Sequence, residues 1–291
     1  MPFTHTFLMC LPKYFELAYV INPWMALHPN GVCTERALQQ WQELYESISA
    51  RALVRLIDPQ PGLPDMPFTA NAGLIVHDKV VVSRFLNAER QGEEQHFKEW
   101  FLNNQYTVYQ TPAGLSFEGA GDALLDQKEF FLWMGWGYRS VLAAQEHLSN
   151  YLDVEVLPLH LVDERFYHLD TCFCPLSGGY LLYYPPAFDE PARRLIAQRV
   201  PSNKRIAISE EDAVHFACNA VNIDDLLILN CVSSKLRSRL QQAGFEVIET
   251  GLSEFLKAGG GTKCLTLRLN DPLSANLRAV ESAVANISLA Y

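Results

Sequence analysis

A cysteine that follows a run of glycines is the first candidate for chemistry in this sequence of 291 residues. Residues 259–261 are glycines, and Cys264 stands shortly after them. Glycine tolerates positive φ angles and lets the backbone approach a ligand closely. Alternating leucines from Leu265 onward then predict a half-buried strand. A thiol held between such a turn and such a strand is well placed to attack a substrate, although a lone buried cysteine is more often a small packing residue.

A nucleophilic thiol needs a base, which can come from a distant part of the chain. His168 is the candidate base, and Asp170 follows two residues later. We expect both on one strand, where side chains two positions apart face the same side. A carboxylate matches a planar guanidinium in charge and in hydrogen-bonding geometry. These residue types predict a thiol enzyme in which Cys264 attacks a guanidinium held by Asp170, with His168 as acid and base.

Glu118, before Gly119, has two candidate roles in this chemistry. It can hold the remaining guanidinium nitrogens, or it can hydrogen-bond His168 and fix the orientation of the imidazole. In either role its negative charge should raise His168 toward protonation, which suits protonation of a leaving group near neutral pH. A neighbouring cation must also lower the pKa of the Cys264 thiol, and both His168 and a cationic substrate can supply that charge.

Further polar residues in loops beside predicted strands are candidate substrate contacts. They are Asn22, Asn71, Asp122, Arg139 and Arg90. Each has an ordinary structural explanation when taken alone: an asparagine before proline, such as Asn22, is a common turn residue. Arg90 can either place a substrate carboxylate or pair with Glu93 and Glu94. The case for these residues depends on whether the fold brings them together.

The elements that must position these residues follow a repeating order of short strands and helices. Residues 14–21 alternate like a strand, residues 35–55 carry apolar positions at helical spacing, and residues 72–82 form a hairpin-like pair. Helices separated by more than one short strand favour ββαβ units over a doubly wound sheet. No linker interrupts the pattern. We therefore expect a single α/β domain over residues 1–275, with residues 276–291 as a helical tail or the start of a linker.

The composition argues against several classes of partner. The net charge is −10, whereas proteins that bind nucleic acid or anionic membranes present basic patches. No apolar run approaches the about 20 residues of a membrane-spanning helix, and the N-terminus lacks the features of a signal peptide. Seven scattered cysteines indicate a reducing, cytoplasmic compartment. The histidines show no metal-ligand spacing, so we expect a small-molecule substrate and neither a metal nor an organic cofactor.

Several motifs occur in the order that is typical of one known superfamily: residues 68–73 (FTANAG), 118–122 (EGAGD), 137–140 (GYRS), 168–171 (HLDT) and 259–264 (GGGTKC). The chain resembles the guanidino-group-modifying superfamily, which includes arginine deiminases, dimethylarginine dimethylaminohydrolases and arginine:glycine amidinotransferases. The resemblance implies a five-bladed α/β propeller of ββαβ units, the pentein fold. It also implies that Cys264 is the nucleophile, His168 the acid and base, Glu118 its partner and Asp170 a guanidinium ligand. Arg139 resembles the arginine that holds a substrate α-carboxylate.

Asn71 separates this chain from the deiminases and dimethylarginine hydrolases, which have an acidic residue at this position. Together with residues 19–25 (YVINPWM), Asn71 makes the chain similar to the arginine dihydrolases that form the N-terminal module of cyanobacterial arginine-catabolic proteins. That resemblance implies hydrolysis of L-arginine to L-ornithine, carbon dioxide and two molecules of ammonia. It leaves open a homo-oligomer and a further C-terminal domain.

Other functions stay open at this point. A deiminase would stop at citrulline and one ammonia, a dimethylarginine-type hydrolase would take a modified arginine, and an amidinotransferase would need an acceptor amine such as glycine. The same fold also serves as a non-catalytic ribosome-binding factor, which has no use for Cys264, His168 and Glu118 together. Asn71 favours the dihydrolase for a physical reason. An aspartate would leave an unpaired charge against a neutral ureido group, whereas an amide both donates and accepts hydrogen bonds.

Overall fold

The computed structural model describes residues 4–270, so the tail expected at residues 276–291 lies outside the described residues. Within them, short strands form five separate three-stranded sheets. In chain order the strands are β1 (Thr6–Cys10), β2 (Leu53–Ile57), β3 (Gly73–Val76), β4 (Lys79–Val82), β5 (Thr107–Gln110), β6 (Ala123–Leu125), β7 (Phe131–Trp136), β8 (Glu155–His160), β9 (Phe173–Leu176), β10 (Tyr180–Tyr183), β11 (Arg205–Ala207), β12 (Val221–Ile223), β13 (Leu226–Leu229), β14 (Glu246–Glu249) and β15 (Leu267–Arg268).

The sheets share one plan. In the sheet β3–β5, β3 pairs antiparallel with β4, and β5 then pairs parallel with β4. The sheets β6–β8, β9–β11 and β12–β14 repeat this order of pairing. Parallel neighbours cannot be joined by a tight turn and need a longer crossover. A helix fills that crossover in each sheet, so the expected ββαβ unit is confirmed.

The helices supply the outer packing of these units. They are α1 (Pro23–Ala26), α2 (Thr34–Ser49), α3 (Ala88–Gln91), α4 (Glu93–Asn103), α5 (Ala144–Leu152), α6 (Glu190–Arg199), α7 (Glu210–Ala213), α8 (Ser234–Gln242) and α9 (Ser253–Leu256). The longest, α2, buries Ala37, Trp41, Leu44 and Ile48, which recur at the spacing of one helical face. None of these helices has the length and apolar character needed to cross a membrane.

The ring is closed by the two ends of the described chain. In the fifth sheet the late strand β15 pairs antiparallel with β1, with Phe7 opposite Arg268 and Leu8 opposite Leu267. The strand β1 also pairs in parallel with β2. Thus β15 takes the place that β3, β6, β9 and β12 take in the other sheets. The structure is the five-bladed α/β propeller that the sequence predicted.

The first strands of the five sheets surround a common axis. They line a cavity of about 100 Å³, which we call the axial cavity. Its wall includes Leu74 from β3, Leu124 from β6, Cys174 from β9, Val221 from β12 and Leu267 from β15. A turn that directly precedes one of these strands therefore lies near the centre of the molecule.

Two expected elements differ in the structure. Residues 14–21 form no strand: Phe15 is buried, and Leu17, Tyr19 and Ile21 pack partly against the same core cluster, so their alternation reflects one-sided packing of an irregular segment. The helix expected over residues 35–55 ends at Ser49, and its last part is the strand β2. The β-branched and leucine-rich end of that stretch pairs with β1 instead of continuing the helix.

Candidate active site

The candidate residues lie mainly in turns that enter the first strand of a sheet. Short 3₁₀ turns at Thr69–Ala72, Gly119–Gly121 and Leu169–Thr171 come directly before β3, β6 and β9. Asn219 and Cys264 occupy the corresponding segments before β12 and β15. Because these strands surround one axis, the turns before them meet at one end of the ring.

A narrow pocket lies at this end of the ring. Many of the residues predicted from the sequence line its wall. They are Asn22, Asn71, Arg90, Arg139, His168 and Cys264. Glu118 and Asp170 contact two of these residues, whereas Asp122 does not reach the pocket wall. The structure thus brings the cysteine, the imidazole and the acidic groups together from distant parts of the chain.

The Cys264 thiol is held by two neighbouring turns. The Asn219 amide donates from Nδ2 to Sγ at 3.0 Å and accepts from the Cys264 backbone N–H at 3.0 Å. The carboxylate oxygens of Asp170 lie 3.6 and 3.7 Å from Sγ. Burial, followed by the negative charge of Asp170, raises the pKa of the Cys264 thiol. The resting group is therefore a protonated thiol, and a cation near Sγ would favour the thiolate.

His168 is oriented by Glu118. His168 Nε2 lies 2.7 Å from Glu118 Oε2, and an ionised carboxylate can only accept, so Nε2 carries the proton and Nδ1 keeps its lone pair. The other carboxylate oxygen, Oε1, accepts from the Leu86 backbone N–H at 3.1 Å, while Arg139 Nη1 lies 3.3 Å from Oε2. Of the two roles expected for Glu118, these contacts favour orientation of the imidazole.

Burial and charge determine the protonation state of this pair. Burial alone would raise the pKa of Glu118, but Arg139 and the hydrogen bond from His168 outweigh it and lower the pKa to about 2. Burial lowers the pKa of His168 to about 4, against the raising effect of Glu118. Glu118 thus acts on the pKa of His168 in the expected direction, but burial outweighs it. Near neutral pH the imidazole is ready to accept a proton.

Asp170 reaches the thiol from a turn and not from a strand. The strand expected to present His168 and Asp170 on one face is wrong, because Leu169–Thr171 form a 3₁₀ turn. Thr171 closes the turn by donating from Oγ1 to the His168 carbonyl at 2.6 Å. The turn places His168 in the pocket wall and Asp170 against Cys264. Burial raises the pKa of Asp170 to about 7.

Asn71 and Arg90 form the wall beside the Cys264 and His168 groups. Asn71 Oδ1 accepts from Arg90 Nη1 at 3.0 Å, and Asn71 Nδ2 donates to the Glu118 backbone carbonyl at 3.1 Å. Arg90 also binds both carboxylate oxygens of Glu93 at 2.8 Å. The structure therefore shows the expected pairing of Arg90 with Glu93, while the arginine still lines the pocket.

Arg139 and Asn22 also line the pocket. Arg139 Nη2 donates to the Ile21 carbonyl at 2.8 Å, and its guanidinium lies 4.5 Å from the centre of the Tyr167 ring. Asn22 accepts from the Met25 backbone N–H through Oδ1 and so caps α1. Its Nδ2 donates to the Ala258 carbonyl at 3.0 Å, which ties α1 to the glycine-rich turn.

Asp122 is a structural residue and not a pocket residue. Its Oδ2 accepts from the Ser140 hydroxyl at 2.6 Å, and its Oδ1 accepts from the Leu169 backbone N–H at 3.1 Å. Both oxygens are thus occupied by the protein. These bonds fix the turn that carries His168, and Asp122 does not line the pocket, so its expected contact with a substrate stays a prediction.

Two residues of the site were not predicted from the sequence. Asn219 donates to the Asp170 backbone carbonyl, and it also contacts the Cys264 sulfur. Asp65 lines the pocket with an Oδ1 atom that is buried and has no hydrogen-bond partner among the described residues. Its Oδ2 accepts from the Tyr19 hydroxyl at 3.0 Å.

The glycines before Cys264 are needed for close packing. Gly259 has a φ of +82°, and a Cβ there would lie 2.7 Å from the Tyr167 hydroxyl. A Cβ on Gly260 would lie 2.5 Å from Phe68 Cε1 and 3.3 Å from Cys264 Cβ. Any side chain at these two positions would push the turn away from the pocket and displace Cys264 with it.

A five-bladed α/β propeller with cysteine, histidine and glutamate at one end of its axis defines the pentein class of guanidine-modifying proteins. Residues 20–270 match the family described as N,N dimethylarginine dimethylhydrolase, eukaryotic. The chain belongs to this family of dimethylarginine dimethylaminohydrolase type.

Several curated relatives are highly similar to the chain. The bifunctional arginine dihydrolase/ornithine cyclodeaminase AgrE of Nostoc sp. is 56% identical over 97% of this chain and 40% of its own length. ArgZ of Synechocystis sp., with the same description, is 54% identical over 96% of this chain and 40% of its own length. The dimethylarginine dimethylaminohydrolase of Mycobacterium tuberculosis is 37% identical over 92% of this chain and 87% of its own length. The chain thus spans about 40% of the length of AgrE and ArgZ.

Solved structures of related proteins share the fold of this chain. The N-terminal domain of ArgZ, a Cys-to-Ser variant bound to substrate, superposes with a TM-score of 0.90 at 55% identity, covering 92% of this chain and 98% of that one. AgrE with ornithine and NAD+ also has a TM-score of 0.90, at 57% identity over 92% of this chain and 39% of that one. A dimethylarginine dimethylaminohydrolase with a TM-score of 0.73 is only 20% identical, over 90% of this chain and 98% of that one, and it supports the fold alone.

Proposed function

We propose that this chain is an arginine dihydrolase, which converts L-arginine to L-ornithine, carbon dioxide and two molecules of ammonia. The observation that carries the proposal is an amide, Asn71, in the pocket wall with Cys264 and His168. An amide can serve both a cationic guanidinium and the neutral ureido group that the first hydrolysis produces. The descriptions of AgrE and ArgZ as arginine dihydrolases support the same reaction.

The first half-reaction uses the charge of the substrate. A guanidinium beside Asp170 and Sγ lowers the pKa of Cys264, and His168 Nδ1 accepts the thiol proton. The sulfur attacks the guanidinium carbon, His168 returns the proton to the departing nitrogen, and ammonia leaves. A thiouronium then joins the substrate to Cys264. Water attacks its carbon while His168 takes a proton, and the C–S bond breaks to give bound citrulline.

The second half-reaction repeats these steps on a neutral group. Cys264 attacks the ureido carbon, and His168 protonates the second leaving nitrogen, so a second ammonia departs and a thiocarbamate remains. Water cleaves the C–S bond, and the resulting carbamate breaks down to ornithine and carbon dioxide. Asn71 faces this step without a net charge, whereas a buried carboxylate there would stay unpaired against the neutral group.

The remaining charged groups of the pocket suit the amino-acid end of arginine. Arg139 is buried, lines the pocket and can pair with an α-carboxylate. Asp65 lines the same pocket and has an unpartnered oxygen among the described residues, which suits an α-ammonium group. Free arginine has both groups, so the pocket matches a free amino acid better than an arginine within a peptide.

Incubation with L-arginine, followed by amino-acid analysis and an ammonia assay, tests the proposal. We expect ornithine and two molecules of ammonia per arginine. Cys264→Ser should remove all turnover, while Cys33→Ser, a change at an exposed cysteine, should leave it unchanged. Citrulline with one ammonia would identify a deiminase instead. Turnover of dimethylarginine alone would identify a hydrolase of modified arginine, and no product from either substrate would overturn the proposal.

A further inference from the structure

The Asp170 carboxylate occupies an unfavourable place for a negative charge. It is 1% exposed, and it lies against a thiol that must become a thiolate. The arginines of the pocket are already paired, Arg90 with Glu93 and Arg139 with Glu118. A buried carboxylate without a nearby cation tends to be protonated, and a protonated carboxyl cannot pair with a guanidinium. The site therefore needs a positive charge from another direction.

Lys263 can supply this charge from the other side of the turn. It precedes Cys264 in the chain and is half-buried, and it lines the axial cavity and not the substrate pocket. Its Nζ donates to the Ala120 carbonyl at 3.2 Å. Among residues 4–270 no carboxylate lies within ion-pair distance of this ammonium. Its charge is therefore not neutralised by a direct partner.

The other titratable groups around Asp170 do not replace this lysine. Asp122, Cys172, Cys174 and Cys264 lie within electrostatic range, and none of them is a cation. Lys263 is the charged group that lowers the pKa of Asp170, and it also lowers the pKa of Cys264. The pKa of Lys263 itself is lowered, mainly by burial and to a lesser degree by the positive charge of Arg268.

We propose that Lys263 is a positioning residue of the site: its ammonium, acting from the axial cavity, favours the ionised form of Asp170, which is the form that binds a guanidinium. The proposal rests on the proposed function, because it explains how Asp170 stays able to clamp the substrate. It also gives the axial cavity a role, since the cavity lets a cation approach the reacting sulfur without occupying the space of the cationic substrate.

Charge-preserving and charge-removing variants of Lys263 test this role. Lys263→Gln keeps a donor for the Ala120 carbonyl and removes the charge, whereas Lys263→Arg keeps the charge. Lys79→Gln is the matched control, because Lys79 also donates to one backbone carbonyl, that of Tyr151 at 2.8 Å. The first measurement is kcat/KM for arginine against pH. The second is the rate of Cys264 alkylation by iodoacetamide against pH, followed by peptide mass spectrometry.

We expect Lys263→Gln to move the acid limb of kcat/KM and the alkylation midpoint upward by about one pH unit. At pH 7 the kcat/KM of Lys263→Gln should be several-fold below that of the wild-type chain. This difference should become smaller as the pH rises toward the top of the acid limb. Lys263→Arg and Lys79→Gln should retain the wild-type profiles. Should Lys263→Gln fail to fold, Lys263→Met, which keeps the aliphatic stem, takes its place.

Two results would overturn the inference. One is an unchanged pair of profiles in Lys263→Gln, and the other is an equal shift in Lys263→Gln and Lys263→Arg, which would mean that shape and not charge matters. Alkylation does not require arginine turnover. If the wild-type chain fails to hydrolyse arginine but the alkylation midpoint still shifts as expected, the proposed substrate is wrong while the electrostatic role of Lys263 stands.

Discussion

At the scale of single residues, the reacting pair Cys264 and His168 is uncharged at rest. Burial raises the pKa of Cys264 and lowers that of His168 to about 4, so the pair near neutral pH is a thiol and a neutral imidazole. The buried Glu118 holds one imidazole nitrogen, which leaves Nδ1 to act as the base. Such a site keeps its thiol unreactive until a cation arrives.

Asn71→Asp should shift the products of the proposed dihydrolase reaction from ornithine toward citrulline. The new carboxylate would pair with a guanidinium and with Arg90. It has no hydrogen-bond donor, so it could not bind the Glu118 carbonyl as Asn71 does, and it would stay unpaired against the neutral ureido group. We expect citrulline as the main product and ornithine reduced at least about tenfold, which corresponds to about 1.4 kcal/mol in the second step. Amino-acid analysis measures both products, and an unchanged ornithine yield would remove this explanation.

Asp170→Asn should stabilise the fold at alkaline pH while abolishing turnover. The pKa of Asp170 is raised to about 7 in the folded state, above its ordinary value of 3.8, so ionisation of this group destabilises the folded state as pH rises through 7. From the difference between these two pKa values, the variant should gain about 4 kcal/mol in free energy of unfolding at pH 8, and the gain should shrink as pH falls to 5. Urea unfolding at both pH values measures it; a gain independent of pH would point to packing instead.

At the scale of elements, a short turn stands before each first strand, and in three of the five sheets it is a 3₁₀ turn. The strands β3, β6, β9, β12 and β15 begin roughly fifty residues apart, and the turns before them present Asn71, Glu118, His168, Asn219 and Cys264. Each turn is held to its neighbours by side-chain to backbone hydrogen bonds, such as that from Asn71 to the Glu118 carbonyl. The chemistry is thus assembled from equivalent positions of a repeated unit.

The sequence predicted this convergence in part. Cys264 follows a run of glycines, and His168 is followed two residues later by an aspartate. Both motifs indicate a site before any fold is known. Two predictions were wrong. The alternation over residues 14–21 comes from an irregular segment that packs one side against the core, and not from a strand. The spacing of two between His168 and Asp170 occurs in a 3₁₀ turn, and not on one face of a strand. The contact of Asn219 with sulfur could not be predicted, since it depends on how two sheets meet.

Gly260→Ala should damage the site through the turn that carries Cys264. The added Cβ would lie 2.5 Å from the Phe68 ring, so the turn must shift. We expect a loss of about 1 to 3 kcal/mol in stability from overpacking and at least a tenfold fall in kcat. Gly251→Ala is the matched control, because a Cβ there meets nothing within 4 Å. Equal kcat values for the two variants would contradict this account.

At the scale of the whole molecule, the position of the nucleophile depends on closure of the ring. Cys264 lies just before β15, and β15 has only two residues, which pair with β1 at the opposite end of the described chain. Leu267 is 1% exposed and stands opposite Leu8, so the junction is part of the core. Loss of the pairing between β15 and β1 would therefore open the ring next to the nucleophile.

Leu267→Ala should therefore destabilise the site and the whole ring together. Removing a fully buried leucine side chain costs about 2 to 5 kcal/mol, whereas Leu56→Ala in the same sheet should cost much less, because Leu56 is 51% exposed. Urea unfolding can be followed by tryptophan fluorescence for the fold and by alkylation of Cys264 for the site. Both midpoints should coincide in the wild-type chain and move down together in Leu267→Ala. If Cys264 became reactive at a lower urea concentration than the fluorescence transition, the junction would be a local weak point and closure would not be what holds the nucleophile in place.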